Sequence, residues 1–414
     1  MEFLRTLATR EPRGALVLLL ALLAGTQGAP TRDAPAPPEQ ETPTAPACVD
    51  LTAQLEARRA EFELPGVAAV VIRGGEIVAR GASGVRRAGH EELVTVDDRW
   101  HLGSCTKALT AVLVARLVDA KLLDFGRPVL EYLPRIAEQL DEAARERWRG
   151  LTLLHLVTNR SGIGSPHDDP LLWAELWKRE GTPTEQRATL VRRMLAKKPA
   201  GELGTFLYSN ANCAIAGYIA ETVTGKPYEE LMRAHVFTPL GMSSAGFDVP
   251  WDHALAEGAS ATEPWPHRAT GEPLTPSPTV DNPPAIAPAG TVHASLDDWA
   301  KFVALIVRGA RGEPSDYLSI ESFEVVLHAH RIDDHSSYAA GWMVVERPWA
   351  RGANPGARGV CYTHTGSNNS WFAVAWLAPE RDFAVVVATN RAGAAASAAC
   401  DSIVGALIAE GFER

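Results

Sequence analysis

Cysteine is scarce in this chain of 414 residues: Cys48, Cys105, Cys213, Cys361 and Cys400 are odd in number and follow no metal-ligand spacing. With no Cys-x-x-Cys pair, the zinc and thiol-redox motifs built on that spacing are excluded. Buried thiols that pack as small apolar groups are the expected state. One bridge, Cys48 to Cys400, stays open if the first and last helices meet. Basic clusters are also missing, and the formal net charge is −10. No nucleic-acid partner is expected, because phosphate neutralisation needs a basic stripe. There is no Gly-x-Ser-x-Gly elbow, no His-Glu-x-x-His zinc motif and no phosphate-binding P-loop. The runs His167-Asp168-Asp169 and Asp333-Asp334-His335 read as solvated acidic loops, so no metal and no cofactor is expected. What is plentiful is apolar residue: at 46% hydrophobic the chain has ample material for a large core.

The one long apolar run lies at the N-terminus. Arg5, Arg10 and Arg13 precede Ala15 to Ala24, and small residues follow up to Gly28. This is the pattern of a secretory signal peptide over residues 1–28. It is too short for a membrane span, which needs ~20 apolar residues. Residues 29–47 are rich in Pro, Thr, Ala and acidic residues and read as a disordered spacer. The mature protein is therefore expected outside the cytoplasm, secreted or periplasmic, with no membrane span after cleavage.

Gly103-Ser104-Cys105-Thr106-Lys107 leads into Ala108, Leu109, Ala111, Val112, Leu113, Val114, Leu117 and Val118. A helix apolar all round is a buried helix. Ser104 then sits at its first turn, with Lys107 one turn on and on the same side. A hydroxyl beside an ammonium, at a helix start with free N–H groups, favours an alkoxide-like nucleophile and a bound oxyanion.

Elsewhere the spacing predicts a helix from Asp50 through Phe62. A strand Val67 to Arg73 and a strand Glu76 to Gly84 flank a Gly74-Gly75 hairpin turn. The middle of the chain is mainly helical: Thr152 caps a helix ending near Asn159-Arg160-Ser161-Gly162, and helices cover Ala188 to Ala196, Ala211 to Thr222 and Tyr228 to Val236. From Trp251 to Pro288 the chain is polar and proline-dense, and reads as an irregular excursion over the surface. Ser295 to Asp298 opens a helix running to Val307. Strands follow at Tyr338 to Glu346, Gly359 to His364, Ser370 to Leu377 and Asp382 to Thr389, with a hairpin turn at Glu380-Arg381. A closing helix spans Ala394 to Ala409.

Strands at both ends with helices between predict an α+β fold. The first hairpin and the last strands form one antiparallel sheet flanked by the terminal helices. Residues 48–100 plus 290–414 make the sheet domain, and 101–289 an inserted helical domain carrying the 251–288 loop.

Two further motifs complete a set. Tyr208-Ser209-Asn210 leads into the Ala211 helix, and His364-Thr365-Gly366 ends a strand. The order Ser-x-x-Lys, Tyr-x-Asn, [Lys/His]-Thr-Gly resembles the serine β-lactamase and penicillin-binding-protein superfamily. The tyrosine version is similar to its branch of class C β-lactamases, D-alanyl-D-alanine carboxypeptidases and EstB-type esterases. The resemblance covers about residues 50 to 410, with support from Leu154 to Gly162, Pro288-Ala289-Gly290 and Trp371 to Asn390. It implies a β-lactamase/transpeptidase-like fold and an acyl-enzyme on Ser104.

Ser104 is a poor nucleophile until a base takes its proton. Lys107 has an ordinary pKa of ~10.4 that burial lowers, and as an ammonium it lowers that of Tyr208 instead. Either residue is then the base, and the two titrate together. Tyr208 hands the proton to the leaving group. Asn210 has groups to hold Lys107 and a substrate amide. In the pattern of this superfamily the oxyanion hole is the backbone N–H of Ser104 and of Ser367, each such donor being worth ~3 kcal/mol in the transition state.

One departure bears on substrate. In the superfamily that the chain resembles, β-lactamases and many penicillin-binding proteins carry lysine where His364 stands. Histidine, with a reference pKa of ~6.5, is mostly neutral at pH 7 and offers no fixed charge to a carboxylate. Gly366 lets a substrate lie along the strand edge. The expected function is thus an exported serine hydrolase taking a small-molecule or peptide acyl substrate, an esterase or an amide or peptide hydrolase. The alternatives are a β-lactamase or D-Ala-D-Ala carboxypeptidase, and a catalytically silent ligand-binding homologue.

Overall fold

The computed structural model describes residues 48–250 and 261–411. The expected signal peptide and the spacer lie outside the described residues, as do the first ten residues of the proline-dense segment.

In chain order the strands are β1 (Val49–Asp50), β2 (Gly66–Arg73), β3 (Glu76–Gly84), β4 (Arg99–His101), β5 (Gly246–Phe247), β6 (Val292–Ser295), β7 (His330–Arg331), β8 (Ser337–Ala339), β9 (Trp342–Glu346), β10 (Val360–Ser367), β11 (Phe372–Ala378) and β12 (Phe383–Thr389). They form a nine-stranded sheet ordered β1-β3-β2-β12-β11-β10-β9-β8-β7 and a three-stranded sheet ordered β4-β6-β5. Every neighbouring pair in the large sheet is antiparallel except the short edge pair β1–β3. The two chain ends meet at its centre, where β2 pairs with β12 from Val67–Thr389 to Arg73–Phe383.

The pleat explains why these central strands read as unbroken apolar runs. Val67, Ala69 and Val71 face a layer holding Leu55, Ile403 and Leu407 of the terminal helices Thr52–Glu61 and Ala394–Glu410. Ala68, Val70 and Ile72 face the opposite way, into the larger core with Leu109, Trp299 and Phe302. A strand covered on both sides has no polar face to alternate with. Gly74 and Gly75 turn the first hairpin with φ of +60° and +77°, a primed turn open mainly to glycine. The α+β architecture and the antiparallel sheet are as the sequence predicts.

Several expectations need correction. Tyr338 to Glu346 is not one strand but the hairpin β8–β9, turned tightly at Ala340-Gly341 with Ala339 paired to Trp342. Gly341, at φ +84°, lies against Ala108 and Lys107 backbone with no room for a Cβ. The Ala188 helix begins earlier, at Pro183, behind a capping box of Thr182 and Glu185. The last turn after Tyr228–Met232 is a π-turn, Arg233–Phe237. Over 261–286 the proline-dense segment is irregular apart from two 3-10 turns, Pro278–Val280 and Pro284–Ile286, before a one-turn helix Ala287–Gly290, but it does not stay on the surface. His267 and Asp281 are completely buried and bonded inside the protein. Polar side chains with inward partners hold the segment down, which composition alone does not reveal. Cys48 is exposed, Cys400 is buried, and all five cysteines are free thiols, so the open bridge does not form.

Candidate active site

The helix Thr106–Asp119 is buried from Thr106 to Ala115, Lys107 included. Its approach is a 3-10 turn, Gly103–Cys105, so Ser104 stands on a tighter turn than the α-helix start that the sequence suggests. Gly103 has φ +49°, and a Cβ there collides with the backbone of Gly366 and Ser367. Gly366 is matched to it: a Cβ on Gly366 runs into Leu102 O and comes within 2.8 Å of Ser104 N. Two glycines thus let the nucleophile turn and the tip of β10 touch backbone to backbone. The amide nitrogens of Ser104 and Ser367 both lie at that contact.

Lys107 Nζ donates to Asn210 Oδ1 at 2.8 Å and to Ala289 O at 2.8 Å, and lies 3.1 Å from Ser104 Oγ. The first two partners only accept, so they take two N–H bonds in either charge state. The third position points at the serine. As an ammonium, Lys107 donates there; as an amine, it offers a lone pair to the Ser104 hydroxyl. The same geometry serves both halves of a proton transfer.

Tyr208 covers this pair. Its ring centroid is 4.8 Å from Lys107 Nζ and 6.2 Å from the His364 ring, and the residue is 40% exposed. Asn159 holds the loop in place. Its backbone oxygen accepts from Leu207 N at 2.8 Å, and its Oδ1 accepts from Ser209 N at 3.1 Å. Ser209 then caps the Asn210–Thr224 helix, and its hydroxyl donates to Gly164 O. Asn159 itself is fully buried and left-handed at φ +52°.

On the far side, β10 alternates. His364 and Gly366 are buried, while Thr365 and Ser367 are exposed. His364 Nδ1 lies 2.6 Å from Thr365 O, so Nδ1 carries the proton and Nε2 is the free acceptor. Burial, and then the Lys107 charge, push the pKa of His364 down to about 4, leaving the ring neutral at pH 7. The two cysteines beside the motifs are inert: burial pushes Cys105 up to about 12 and Cys213 up to about 11. The two acidic runs are engaged locally. Asp169 pairs with Lys197 and Arg193, Asp168 caps a short turn, Asp333 accepts from His335 N and Ser336 N, and Asp334 meets Arg331. Among the described residues no group of three His, Cys, Asp or Glu side chains could hold a metal ion.

The structure therefore brings Ser104, Lys107, Tyr208, Asn210, His364, Thr365, Gly366 and Ser367 to one place. Sequence reasoning did not find Ala289 O as the third partner of Lys107, although Pro288-Ala289-Gly290 stood out as a stretch. A backbone acceptor leaves no residue-type signal. Nor did it find Tyr338, buried against His364 at a ring distance of 6.5 Å and bonded to Asn159 Nδ2.

A family model described as Beta-lactamase matches residues 51–410. The chain belongs to the Beta-lactamase family. That places it in a superfamily of serine hydrolases that includes esterases, amidohydrolases and β-lactamases. It is 24% identical over 341 residues to "Unguisins hydrolase ungD'" of Aspergillus campestris, covering 80% of this chain and 59% of that protein. It is 31% identical over 197 residues to "Esterase EstB" of Burkholderia gladioli, covering 45% of this chain and 48% of that protein. Both matches span less than two thirds of the relative's own length. In fold it is similar to the octameric penicillin-binding protein homologue from Pyrococcus abyssi. There the TM-score is 0.66 at 23% identity, over 86% of this chain and 77% of the other.

Proposed function

We propose that this Beta-lactamase family protein is an exported serine hydrolase that works through an acyl-enzyme on Ser104. The observation that carries the reading is Lys107 Nζ, fixed by two acceptors and placed 3.1 Å from Ser104 Oγ. In the first step Ser104 Oγ bonds to the acyl carbon and its proton passes to Lys107 or Tyr208. The leaving group departs with a proton delivered through Tyr208. Water then attacks the Ser104 ester by the reverse transfers and frees the acid. The N–H groups of Ser104 and Ser367 serve the oxyanion, Asn210 steadies Lys107, and β10 offers its edge to the substrate.

A neutral His364 supports a substrate without a carboxylate at that position, an ester or amide rather than a β-lactam or D-Ala-D-Ala peptide. The relatives include proteins named an esterase and a hydrolase beside others named penicillin-binding proteins and a β-lactamase, so the choice rests on His364. Export is supported by the Arg-led apolar run at residues 5–24. The test of the chemistry is exposure to a serine-reactive fluorophosphonate followed by mass spectrometry. An adduct on Ser104, absent in Ser104→Ala together with ester turnover, is expected. A protein that binds acyl ligands yet forms no adduct is the silent homologue. Rates on a short-chain ester, a cephalosporin and a D-amino peptide, measured side by side, test the substrate reading; a dominant cephalosporin rate overturns it.

A further inference from the structure

A second polar cluster, buried except at Asn282, lies directly behind the nucleophile turn. His101 and Asp281 both have no solvent exposure, and His101 Nε2 lies 2.9 Å from Asp281 Oδ2. The other ring nitrogen, His101 Nδ1, accepts from Gly103 N at 3.1 Å. Because a backbone N–H can only donate, Nδ1 is unprotonated, and Nε2 holds the proton given to Asp281. Asp281 Oδ1 accepts from Asn282 N at 2.7 Å and from Asn368 Nδ2 at 3.0 Å. Asn368 Oδ1 in turn accepts from Ser370 N and Trp371 N at 3.1 and 3.2 Å. The circuit closes where Trp371 stacks on His101, with centroids 5.5 Å apart and planes at 23°. Asn282 Nδ2 reaches Gly290 O at 3.2 Å, next to the carbonyl that holds Lys107.

Each end of this circuit adjoins one flank of the reaction centre. Gly103 precedes Ser104, and Asn368 follows Ser367. We infer that His101 and Asp281 are positioning residues: through Gly103 and Asn368 they hold the Ser104 and Ser367 amides in register around the reacting oxygen. This rests on the proposed acyl-enzyme on Ser104. Neither side chain touches the substrate. Asp281 acts by selecting the His101 tautomer, the one that turns a lone pair and not an N–H toward Gly103. An orienting carboxylate that selects a histidine tautomer is a general device of serine hydrolase sites; here it bears on a backbone amide and not on the serine hydroxyl.

The test compares Asp281→Asn, His101→Asn and His101→Leu in the full chain, by ester kcat and KM, fluorophosphonate labelling rate and thermal unfolding. Asp281→Asn presents an N–H to His101 Nε2, so the ring takes the other tautomer and meets Gly103 N–H with its own N–H. The expected result is a loss of about 100-fold in kcat and in labelling rate, the scale of one displaced oxyanion donor, with KM nearly unchanged. His101→Asn keeps an acceptor where Nδ1 stood and retains more kcat than His101→Leu at matched thermal stability. An Asp281→Asn kcat within threefold of wild type overturns the inference, as do equal losses in the two His101 variants. Neutron diffraction of the wild-type protein decides it independently if the variants fail to fold: a proton on His101 Nδ1 refutes the tautomer argument. If the wild type itself shows neither turnover nor a Ser104 adduct, the acyl-enzyme reading falls, and this inference with it. A turning-over wild type beside an unaffected Asp281→Asn sinks this inference alone.

Discussion

His364 is the single residue that most narrows the chemistry. It stands at the end of a strand, 6% exposed, with its one proton committed to Thr365 O and its other nitrogen an acceptor. Such a group repels a carboxylate oxygen and welcomes an N–H or O–H. Changing it to lysine restores a fixed donor. His364→Lys is expected to lower KM for a carboxylate-bearing acyl substrate about tenfold, the worth of one charge-assisted hydrogen bond. KM for a neutral ester stays within about twofold. Paired Michaelis–Menten measurements on the two substrates check this; equal shifts on both defeat the charge argument. The motif residues themselves were legible in the sequence, because Ser104, Lys107, Tyr208, Asn210 and His364 each carry a functional group at a characteristic spacing. What spacing does not show is who restrains them. His101 looks like an ordinary strand residue, Asp281 like one acid among prolines, and Ala289 acts through its carbonyl alone.

At the scale of elements, close approach matters more than propensity. The Asn210–Thr224 helix carries Gly217, where a Cβ meets Pro288 Cγ at 2.5 Å and Tyr228 Cδ2 at 3.3 Å. Pro288 precedes Ala289, and its own carbonyl accepts from Thr110 Oγ1 at 2.6 Å. The missing side chain therefore seats the turn whose next carbonyl fixes Lys107. Gly217→Ala should raise intrinsic helix propensity yet destabilise the protein by about 1–3 kcal/mol through overpacking. It should also slow Ser104 acylation, because Ala289 is displaced from Lys107. Urea unfolding with an unchanged slope, together with the fluorophosphonate labelling rate, reads both effects. A stabilised variant with unaltered labelling contradicts the packing argument. The same physics explains which elements the sequence concealed. Hydrophobic period and turn glycines revealed the first hairpin, the buried Thr106 helix and the closing strands. The β8–β9 hairpin was hidden because its turn, Ala340-Gly341, is short and apolar, and Gly341 is needed there for contact with Lys107 and Ala108, a demand from distant sequence.

At the scale of the whole molecule, the sheet and its helices hold several histidines in their neutral form. Burial pushes His267, His330 and His364 down to about 4 and His293 to about 3, and lowers His155 and His235 as well. In the unfolded chain these rings titrate near ~6.5. Between about pH 6.5 and pH 4 the unfolded state thus binds more protons than the folded one, so stability is present above that window and drains away as pH falls through it. Asp248, Glu263 and Asp401, raised by burial, work in the opposite sense, but they are outnumbered by the six rings. Paired carboxylates add their own acid loss only lower down, with Glu56 and Asp169 both held near about 2 by their basic partners. The melting temperature should therefore decline steadily from pH 6.5 to pH 5, before carboxylate protonation dominates. His293→Asn should flatten that slope, since the His293 ring, bonded to Asp248 O at 2.8 Å, is driven furthest from its free value. Calorimetric melts at half-unit pH steps, for wild type and variant, measure it. A melting temperature level across that interval means that the folded protein takes up protons there as readily as the unfolded chain, which defeats the argument from buried neutral rings.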